Sequence, residues 1–202
     1  MISNILLITA IILTIAPYLM LVITYLTSNK EYKITASENI LKLLDNDNNI
    51  NFIENKESYF SHYNIKRKMI KLSSNTYDSK KIFHIAVSSL LAGYSLINNK
   101  IINYLSYIIN KLKIITIIPI ISIILSIYAH SIKDAKIGLI ILLIIGIIQY
   151  IINNLTTTAI SNVNIKEERI TKTLNIFLLN TKLYFICTLI QILRLVIIVL
   201  KI

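Results

Sequence analysis

This sequence has very little of the residue types that build disulfide-bonded or loop-rich soluble domains. Its 202 residues include one cysteine, two prolines, three glycines and no tryptophan, and only 15% are charged. A single thiol, Cys187, excludes an internal disulfide and a cysteine-based zinc knuckle. The chain is instead 55% hydrophobic, with a mean hydropathy of +0.68. Soluble domains rarely reach that value, so composition predicts a mainly α, integral membrane protein in contact with the lipid bilayer.

Acidic residues are also few. The chain has 10 Asp and Glu against 21 Lys and Arg, a formal net charge of +11. Heavy use of Asn, Lys, Ile and Tyr is typical of an A/T-biased genome, which explains the basic excess as well as a binding partner would. A nucleic-acid interface needs a basic stripe with interleaved aromatic residues on an exposed domain. Here the lysines are scattered among acids and membrane flanks, so no nucleic-acid partner is predicted.

Four apolar runs come close to the ~20 residues that a helix needs to cross ~30 Å of hydrocarbon. The first carries no charge, no basic n-region and no small-x-small cleavage site, so we expect an uncleaved transmembrane helix with a kink at Pro17. Between the second and third runs, Lys133–Lys136 predicts a tight transmembrane hairpin. The four predicted spans are residues 2–27, 114–132, 137–155 and 176–200.

The last of these runs has one charge deep in its sequence, Arg194, with Gln191 one turn away. An arginine inside a membrane is a candidate functional residue by default. Because the run ends shortly afterwards at Lys201, we expect the guanidinium to snorkel to the interface instead. Cys187 lies in the same run, and we expect it to be a small core residue rather than a nucleophile.

Residues 28–113 are the most polar part of the chain and predict a small α+β domain. Thr35 and Glu38 have the spacing of a capping box, which predicts a short helix. That helix should end at the turn-rich residues 45–49, which lack the ligand spacing of a calcium loop. The side chains that we expect the helix to bury are Ile40, Leu41, Leu43 and Leu44.

The rest of this domain is predicted to be a β-hairpin and a long helix. Two strands at 58–63 and 68–73 should flank a turn, with a polar loop over 74–81. A helix is then expected over 82–112, because apolar residues recur with helical spacing. The residues of that apolar face are Val87, Leu90, Leu91, Tyr94, Ile97, Ile101, Leu105, Ile108 and Leu112. Much later in the chain, 156–175 is predicted to be a polar helix or loop.

The distribution of basic residues predicts an orientation. Of the 21 Lys and Arg residues, only Lys133 and Lys136 lie in the short hairpin connection. Most of the others lie in 28–113 or 156–175, several of them close to membrane ends. The positive-inside rule therefore predicts a multi-pass protein of the cell membrane with residues 28–113 in the cytoplasm.

Several motifs resemble those of a known family, the membrane-bound neutral zinc metallopeptidases of the YugP type. Thr35–Leu44 (TASENILKLL) resembles the family's T-G-x-E-V-A-R-x-I-L helix, and Ser61–Ser73 (SHYNIKRKMIKLS) is similar to its D-H-Y-D-P-R-x-K-x-V-R-L-S hairpin. Without a gap, Ala86–Tyr94 (AVSSLLAGY) then falls where the family has A-V-A-A-H-E-V-G-H. Further on, Thr158–Asn164 (TAISNVN) falls on L-P-V-E-F-D-A, and Gln191–Arg194 (QILR) on E-L-L-R.

The resemblance implies a zinc site whose ligands are replaced in this chain. In the family, H-E-x-x-H places two imidazoles one helical turn apart for zinc, with the glutamate as general base, and a later glutamate completes the ligand set. The matching positions here are Leu90, Leu91, Tyr94 and Ser161, and of the metal-binding motif only Gly93 is retained. Leucine can neither bind a metal nor accept a proton, so no catalytic residue, metal or cofactor is expected.

A rearranged zinc site would have to use the remaining histidines. His62 and His84 are the candidates, but they do not restore a pair one turn apart and no carboxylate is clearly placed as a third ligand. Because His62 matches a family histidine outside the zinc set, we expect it to support the hairpin.

Three functions stay open at this point. The favoured one is a non-catalytic pseudopeptidase that binds membrane proteins or a protease partner. The alternatives are an active zinc metallopeptidase with moved ligands and a structural subunit of a membrane complex. A transporter is disfavoured because the spans lack inverted repeats and paired charges.

Overall fold

The computed structural model describes residues 2–28, 30–44, 50–56, 61–64, 67–97, 118–129 and 131–200. Most of these residues are helical, and a small sheet lies in the first half of the chain. The helices and strands, in chain order, are α1 Ile2–Thr27, α2 Ala36–Leu44, β1 Asn51–Asn55, β2 His62–Asn64, β3 Met69–Ser73, α3 Ser74–Tyr77, α4 Ile82–Ser95, α5 Ile118–Tyr128, α6 Ile132–Asn162 and α7 Glu168–Leu200.

Three of the helices are long and apolar enough to cross a membrane. They are α1, α6 and α7, with 26, 31 and 33 residues. In the most apolar segment of each helix, only 17–39% of the residues are buried inside the protein. Large aliphatic side chains therefore cover an exposed surface that a bilayer would bury, since soluble monomers rarely expose apolar patches of that size. The predicted membrane class is confirmed at the level of these three helices.

The fourth predicted span is not shown. Within 114–132 the structure describes α5, which has 11 residues. Residues 114–117 and 130, which belong to the same predicted span, lie outside the described residues. A helix of 11 residues rises only about 16 Å, about half of the hydrocarbon thickness. The four-span topology therefore stays a prediction.

The predicted hairpin connection at Lys133–Lys136 is wrong, because these residues form the first turn of α6. Ser131 caps the helix: the backbone N–H of Asp134 donates to its hydroxyl at 3.1 Å, and the hydroxyl donates to the Asp134 carboxylate at 2.6 Å. A hydroxyl before the helix and an acid in the first turn both stabilise an N-terminus. This local capping lets the helix begin in a charged segment that hydropathy assigns to a loop.

Most of the polar stretch 156–175, predicted to be a helix or loop, lies inside the two long helices. Helix α6 continues to Asn162 and α7 begins at Glu168, so only 163–167 connect them. Glu168 and Lys172 form an exposed ion pair at 2.8 Å with i, i+4 spacing. Both helices therefore extend past their apolar segments with polar turns.

The chain divides into two compact units. The membrane unit comprises Met1–Met20, Leu112–Asn153 and Leu179–Ile202, and the sheet unit comprises Leu21–Lys111 and Asn154–Leu178. The membrane unit contains most of the three long helices and all of α5. The sheet unit contains every strand of the described residues, together with α2, α3 and α4.

The sheet has the strand order β1-β3-β2. Strands β2 and β3 are antiparallel, with Tyr63 opposite Ile70, which confirms the predicted pairing. Strand β2 is described over His62–Asn64, and residues 58–60 of the predicted first strand lie outside the described residues. At the turn, the backbone N–H of Arg67 donates to the Asn64 side chain at 3.2 Å, and Lys68 has a φ of 45°. Strand β1, parallel to β3, was not predicted, because Asn51–Asn55 (NFIEN) is too polar and short to show a strand period.

Helix α2 confirms the capping box. The Glu38 carboxylate accepts from the Thr35 backbone N–H at 2.9 Å, and the Thr35 hydroxyl accepts from the Glu38 N–H at 3.2 Å. Ile40 and Leu44 are buried as expected, but Leu41 is 54% exposed, so its predicted burial is wrong. Leu41 lies one residue, about 100°, beyond Ile40 and therefore turns away from the core.

Helix α4 begins at Ile82 as predicted but ends at Ser95, so the predicted helix over 82–112 is wrong in its length. The backbone N–H of Ile97 bonds to the Tyr94 carbonyl at 3.3 Å, a tightened last turn just before the helix-disfavouring pair Asn98-Asn99. The remainder of the predicted helix, 98–112, lies outside the described residues. The predicted loop over 74–81 is also wrong in part, because α3 occupies Ser74–Tyr77.

Candidate functional site

The candidate site is the second half of α4, where the sequence resemblance places a metal-binding helix. Leu91 is buried in a cluster formed with α2 and the sheet, and Leu90 packs against a second cluster formed with the start of α7. Tyr94 packs against the first cluster. The other buried members of the first cluster are Ile40, Leu44, Tyr63, Ile70, Leu72 and Ala92. These helix positions therefore serve as hydrophobic core on both flanks of α4.

Tyr94 also makes the polar contact of this helix face. Its hydroxyl lies 2.8 Å from the Thr156 hydroxyl on α6. Burial raises the pKa of the Tyr94 phenol above its usual value, and the Thr156 hydrogen bond offsets that only in part. The phenol is therefore neutral at physiological pH.

Helices α4 and α6 approach each other closely at Gly93. A Cβ at this position would overlap the carbonyl oxygen of Ala159 and lie 2.8 Å from Cγ2 of Val163. The Asn162 side chain donates to the Gly93 carbonyl at 3.5 Å. Only glycine allows this backbone-to-backbone packing, which gives a structural reason for a glycine in the stretch that resembles the family's metal-binding motif.

Ser161 does not share that contact face. It is exposed, and its hydroxyl donates to the Thr158 carbonyl at 2.9 Å. The residues of α6 that contact α4 include Thr156, Ala159 and Asn162. Ser161 is two residues after Ala159, which is about 200° of rotation, so it lies on the side of α6 opposite Ala159. The structure brings Leu90, Leu91 and Tyr94 onto one helix but leaves Ser161 apart from them.

The two histidines proposed for a rearranged metal site lie on different elements. His62 pairs with Lys71 in the sheet, and His84 lies in the first turn of α4 beside Tyr25, Phe83 and Lys81. Burial, and secondarily the Lys81 charge, lower the pKa of His84, so it is neutral at pH 7. Among the described residues, no three His, Cys, Asp or Glu side chains lie close enough together to hold a metal.

Sequence analysis missed a buried polar network between α2 and α4. The Asn39 amide donates to the hydroxyls of Ser88 and Ser89, at 3.1 and 2.8 Å, and both hydroxyls donate to the Ile85 carbonyl at 2.8 Å. Both serines are fully buried. The signal was available in principle, since adjacent serines interrupt an otherwise apolar helix and need a partner.

Arg194 is buried in the membrane unit and hydrogen-bonded near the ends of two helices, and its snorkelling to a bilayer interface stays a prediction. It is only 8% exposed. Its Nε donates to the Ser3 carbonyl at 3.2 Å, and its Nη1 donates to the carbonyl and, at 2.6 Å, to the hydroxyl of Ser126. Ser126 lies in the last turn of α5, where carbonyls have no partner within the helix and carry the negative end of its dipole. The guanidinium therefore caps α5 and joins it to α1.

Further polar side chains follow the buried face of α7. Asn180, Cys187 and Gln191 recur at i, i+7 and i+11, and the Cys187 thiol lies 3.0 Å from the Thr14 hydroxyl. Cys187 is fully buried, as expected of a small core residue. The side-chain amides of Asn180, Gln191 and Gln149 of α6 are buried without a hydrogen-bond partner among the described residues. Unpaired buried amides are costly in a low-dielectric interior.

Together, these features define a multi-pass membrane protein with a small sheet unit whose central helix is packed as core. The chain matches no family profile, no curated protein and no solved structure.

Proposed function

We propose that this chain is a non-catalytic relative of the YugP-type membrane zinc metallopeptidases, which acts by binding membrane proteins or a protease partner. The observation that carries the proposal is the packing of Leu90, Leu91 and Tyr94. Hydrophobic clusters and one hydroxyl contact account for all three side chains. Hydrolysis by a zincin needs two imidazoles and a carboxylate at these positions, and the residues present supply neither.

Two contacts support the relationship to that family. A metal-binding helix needs a second helix close by to supply the third ligand, and α6 packs on α4 at the retained Gly93. The β2–β3 hairpin occupies the stretch that resembles the family's hairpin. Ser161, on the far face of α6, weighs against a strict correspondence at the third-ligand position.

Zinc content tests the absence of catalysis directly. The full chain, purified in mild detergent in zinc-containing buffer, is expected to hold well below one zinc per chain by mass spectrometry and to show no proteolysis of casein. Stoichiometric zinc that is lost together with proteolysis in His62→Ala or His84→Ala would establish the alternative, an enzyme with moved ligands. A His130→Ala variant serves as the control histidine change, since no metal site is proposed at His130.

We further propose that the sheet unit faces the cytoplasm, because it holds most of the basic residues near the membrane ends. The test uses single cysteines in a Cys187→Ser background. Asn75→Cys in the sheet unit and Lys133→Cys at the start of α6 are both exposed positions. In intact cells a membrane-impermeant maleimide should label Lys133→Cys and not Asn75→Cys. The opposite pattern would reverse the orientation.

Crosslinking distinguishes the proposed binding function from the alternative, a structural subunit of a membrane complex. Photo-crosslinking amino acids at exposed sheet-unit positions such as Asn75 and Lys80 are expected to capture several membrane proteins in substoichiometric amounts. One fixed partner set at constant stoichiometry would instead favour a subunit of a larger complex.

A further inference from the structure

An aromatic cluster lies where the first apolar helix ends. Tyr25, in the last turn of α1, packs edge-to-face on Phe83 of α4 at 5.3 Å between ring centroids. Phe83 packs in the same way on Phe177 of α7 at 5.5 Å. Aromatic rings at the end of a membrane-length helix are typical of the boundary between hydrocarbon and headgroups. The cluster therefore marks the depth at which lipid headgroups would contact the sheet unit.

Backbone pairing holds a basic segment beside this cluster. Glu31 and Lys81 form an antiparallel bridge, with Tyr32 N–H donating to the Lys80 carbonyl at 2.7 Å and Ile82 N–H to the Lys30 carbonyl at 3.3 Å. Three lysines, Lys30, Lys80 and Lys81, are thereby fixed on two adjacent extended segments just beyond Thr27, the last residue of α1.

The charges of these lysines are not neutralised within the described residues. Lys81 is half-buried, and its ammonium lies over the Tyr25 ring, 5.8 Å from the ring centroid. Lys30 and Lys80 are exposed, and no carboxylate in the described part of the chain forms an ion pair with any of the three. Glu31, the carboxylate of the paired segments, is exposed and lies outside ion-pair distance of Lys81.

We propose that Lys30, Lys80 and Lys81 bind the phosphate groups of anionic phospholipids in the leaflet next to the sheet unit. Ammonium groups are point-charge ligands for phosphate, and lysines next to a membrane helix attract anionic lipids. The acyl chains would lie along the exposed aliphatic side chains of the last turns of α1, Val22, Ile23 and Leu26. A free phosphate would leave this aliphatic surface uncovered, which favours a lipid as the source of the phosphate.

The absence of tryptophan allows a direct test. In Val22→Trp the new ring lies three residues before Tyr25, on the same face of α1, and is the only tryptophan. The variant is reconstituted into vesicles of phosphatidylcholine in which a fixed fraction is replaced by dibrominated phosphatidylglycerol or by dibrominated phosphatidylcholine. The brominated anionic lipid should quench the tryptophan with a relative association constant at least about fivefold higher, the contribution expected from one membrane-proximal lysine.

Charge-removal variants locate the site. In Lys30→Gln/Lys80→Gln/Lys81→Gln the preference should fall to about one, whereas Lys133→Gln/Lys136→Gln and the charge-conserving Lys81→Arg should keep it. Circular dichroism in detergent checks that each variant is folded. Equal quenching by the two lipids in the parent, or a preference that survives in the triple variant, would overturn the proposal.

Inorganic phosphate distinguishes the two sources of the ligand. Added at the ionic strength of a matched sodium chloride control, it should not reduce quenching by the anionic lipid. If phosphate abolishes the lipid preference where chloride does not, the lysines form a site for free phosphate and the lipid assignment is wrong.

Discussion

Gly93 shows how a single missing side chain determines the packing of two helices. The carbonyl of Ala159 occupies the space where a Cβ would lie, and a backbone group cannot rotate away as a flexible side chain can. Gly146, on the membrane-unit part of α6, is different. A Cβ added at Gly146 would lie 3.6 Å from the Ile192 side chain and 3.8 Å from the Thr188 side chain, which are ordinary van der Waals distances. The two glycines therefore form a matched pair for testing the close approach of α4 and α6.

We predict that Gly93→Ala destabilises the protein by about 1–3 kcal/mol, the usual range for overpacking. Gly146→Ala should be neutral or slightly stabilising, because alanine is the better helix former by up to about 1 kcal/mol. Thermal unfolding in detergent, followed by circular dichroism, measures both. An equal effect of the two substitutions would contradict the close packing at Gly93.

Gln191, in the membrane unit, is a second single residue whose effect on stability can be tested. It is fully buried, and neither its amide nitrogen nor its amide oxygen has a partner among the described residues. We predict that Gln191→Leu raises the melting temperature, because it removes an unpaired buried polar group that costs about 1–3 kcal/mol. Leu193→Ala, on the exposed face of the same helix, is the control for side-chain change at similar depth. A lower melting temperature for Gln191→Leu would mean that the amide is hydrogen-bonded in the folded protein.

At the scale of the element, local signals placed some helix ends and tertiary contacts placed others. The Thr35/Glu38 capping box is a local signal and begins α2 where the sequence predicts. Ser131 and Asp134 form an equivalent cap, which begins α6 inside a segment that its charges alone assign to a loop. Arg194, from a distant part of the chain, donates a hydrogen bond to the Ser126 carbonyl in the last turn of α5, and no local pattern could reveal this contact.

We predict that Thr35→Ala lowers the free energy of unfolding by about 1 kcal/mol through loss of the N-cap. Thr158→Ala is the matched control. Its exposed hydroxyl donates to the Asn154 carbonyl of its own helix, so the change should be within about 0.5 kcal/mol. Denaturant unfolding in detergent provides the comparison. If both variants lose the same stability, the capping box does not stabilise α2 in the folded chain.

At the scale of the whole molecule, the chain exposes aliphatic surface along α1, α6 and α7 that a bilayer would bury. Ile12, Ile147 and Leu193 are each at least half exposed on these helices. Burying apolar side chains is worth about 25 cal/mol per Å², so exposure of three such helices to water would be strongly unfavourable. The membrane is therefore part of the solvent in which this fold is stable.

We predict that the chain stays in the membrane pellet after extraction of cell membranes with alkaline carbonate, and is released by mild detergent. Peripheral proteins held by charge are removed by carbonate, whereas transmembrane helices are not. A known peripheral protein in the same membranes is the internal control. Release of the chain by carbonate would contradict the spanning assignment of α1, α6 and α7.

The sequence alone determined the membrane class, the first apolar helix, the capping box and the β2–β3 hairpin. These rest on hydropathy, on i, i+3 spacing or on a short polar pattern, all of which act over a few residues. Strand β1 and the burial of Arg194 were decided only by the tertiary structure. Each depends on a partner far away in sequence, such as β3 for Asn51–Asn55 or α5 for Arg194, and long-range contacts leave no periodic trace in the segment itself.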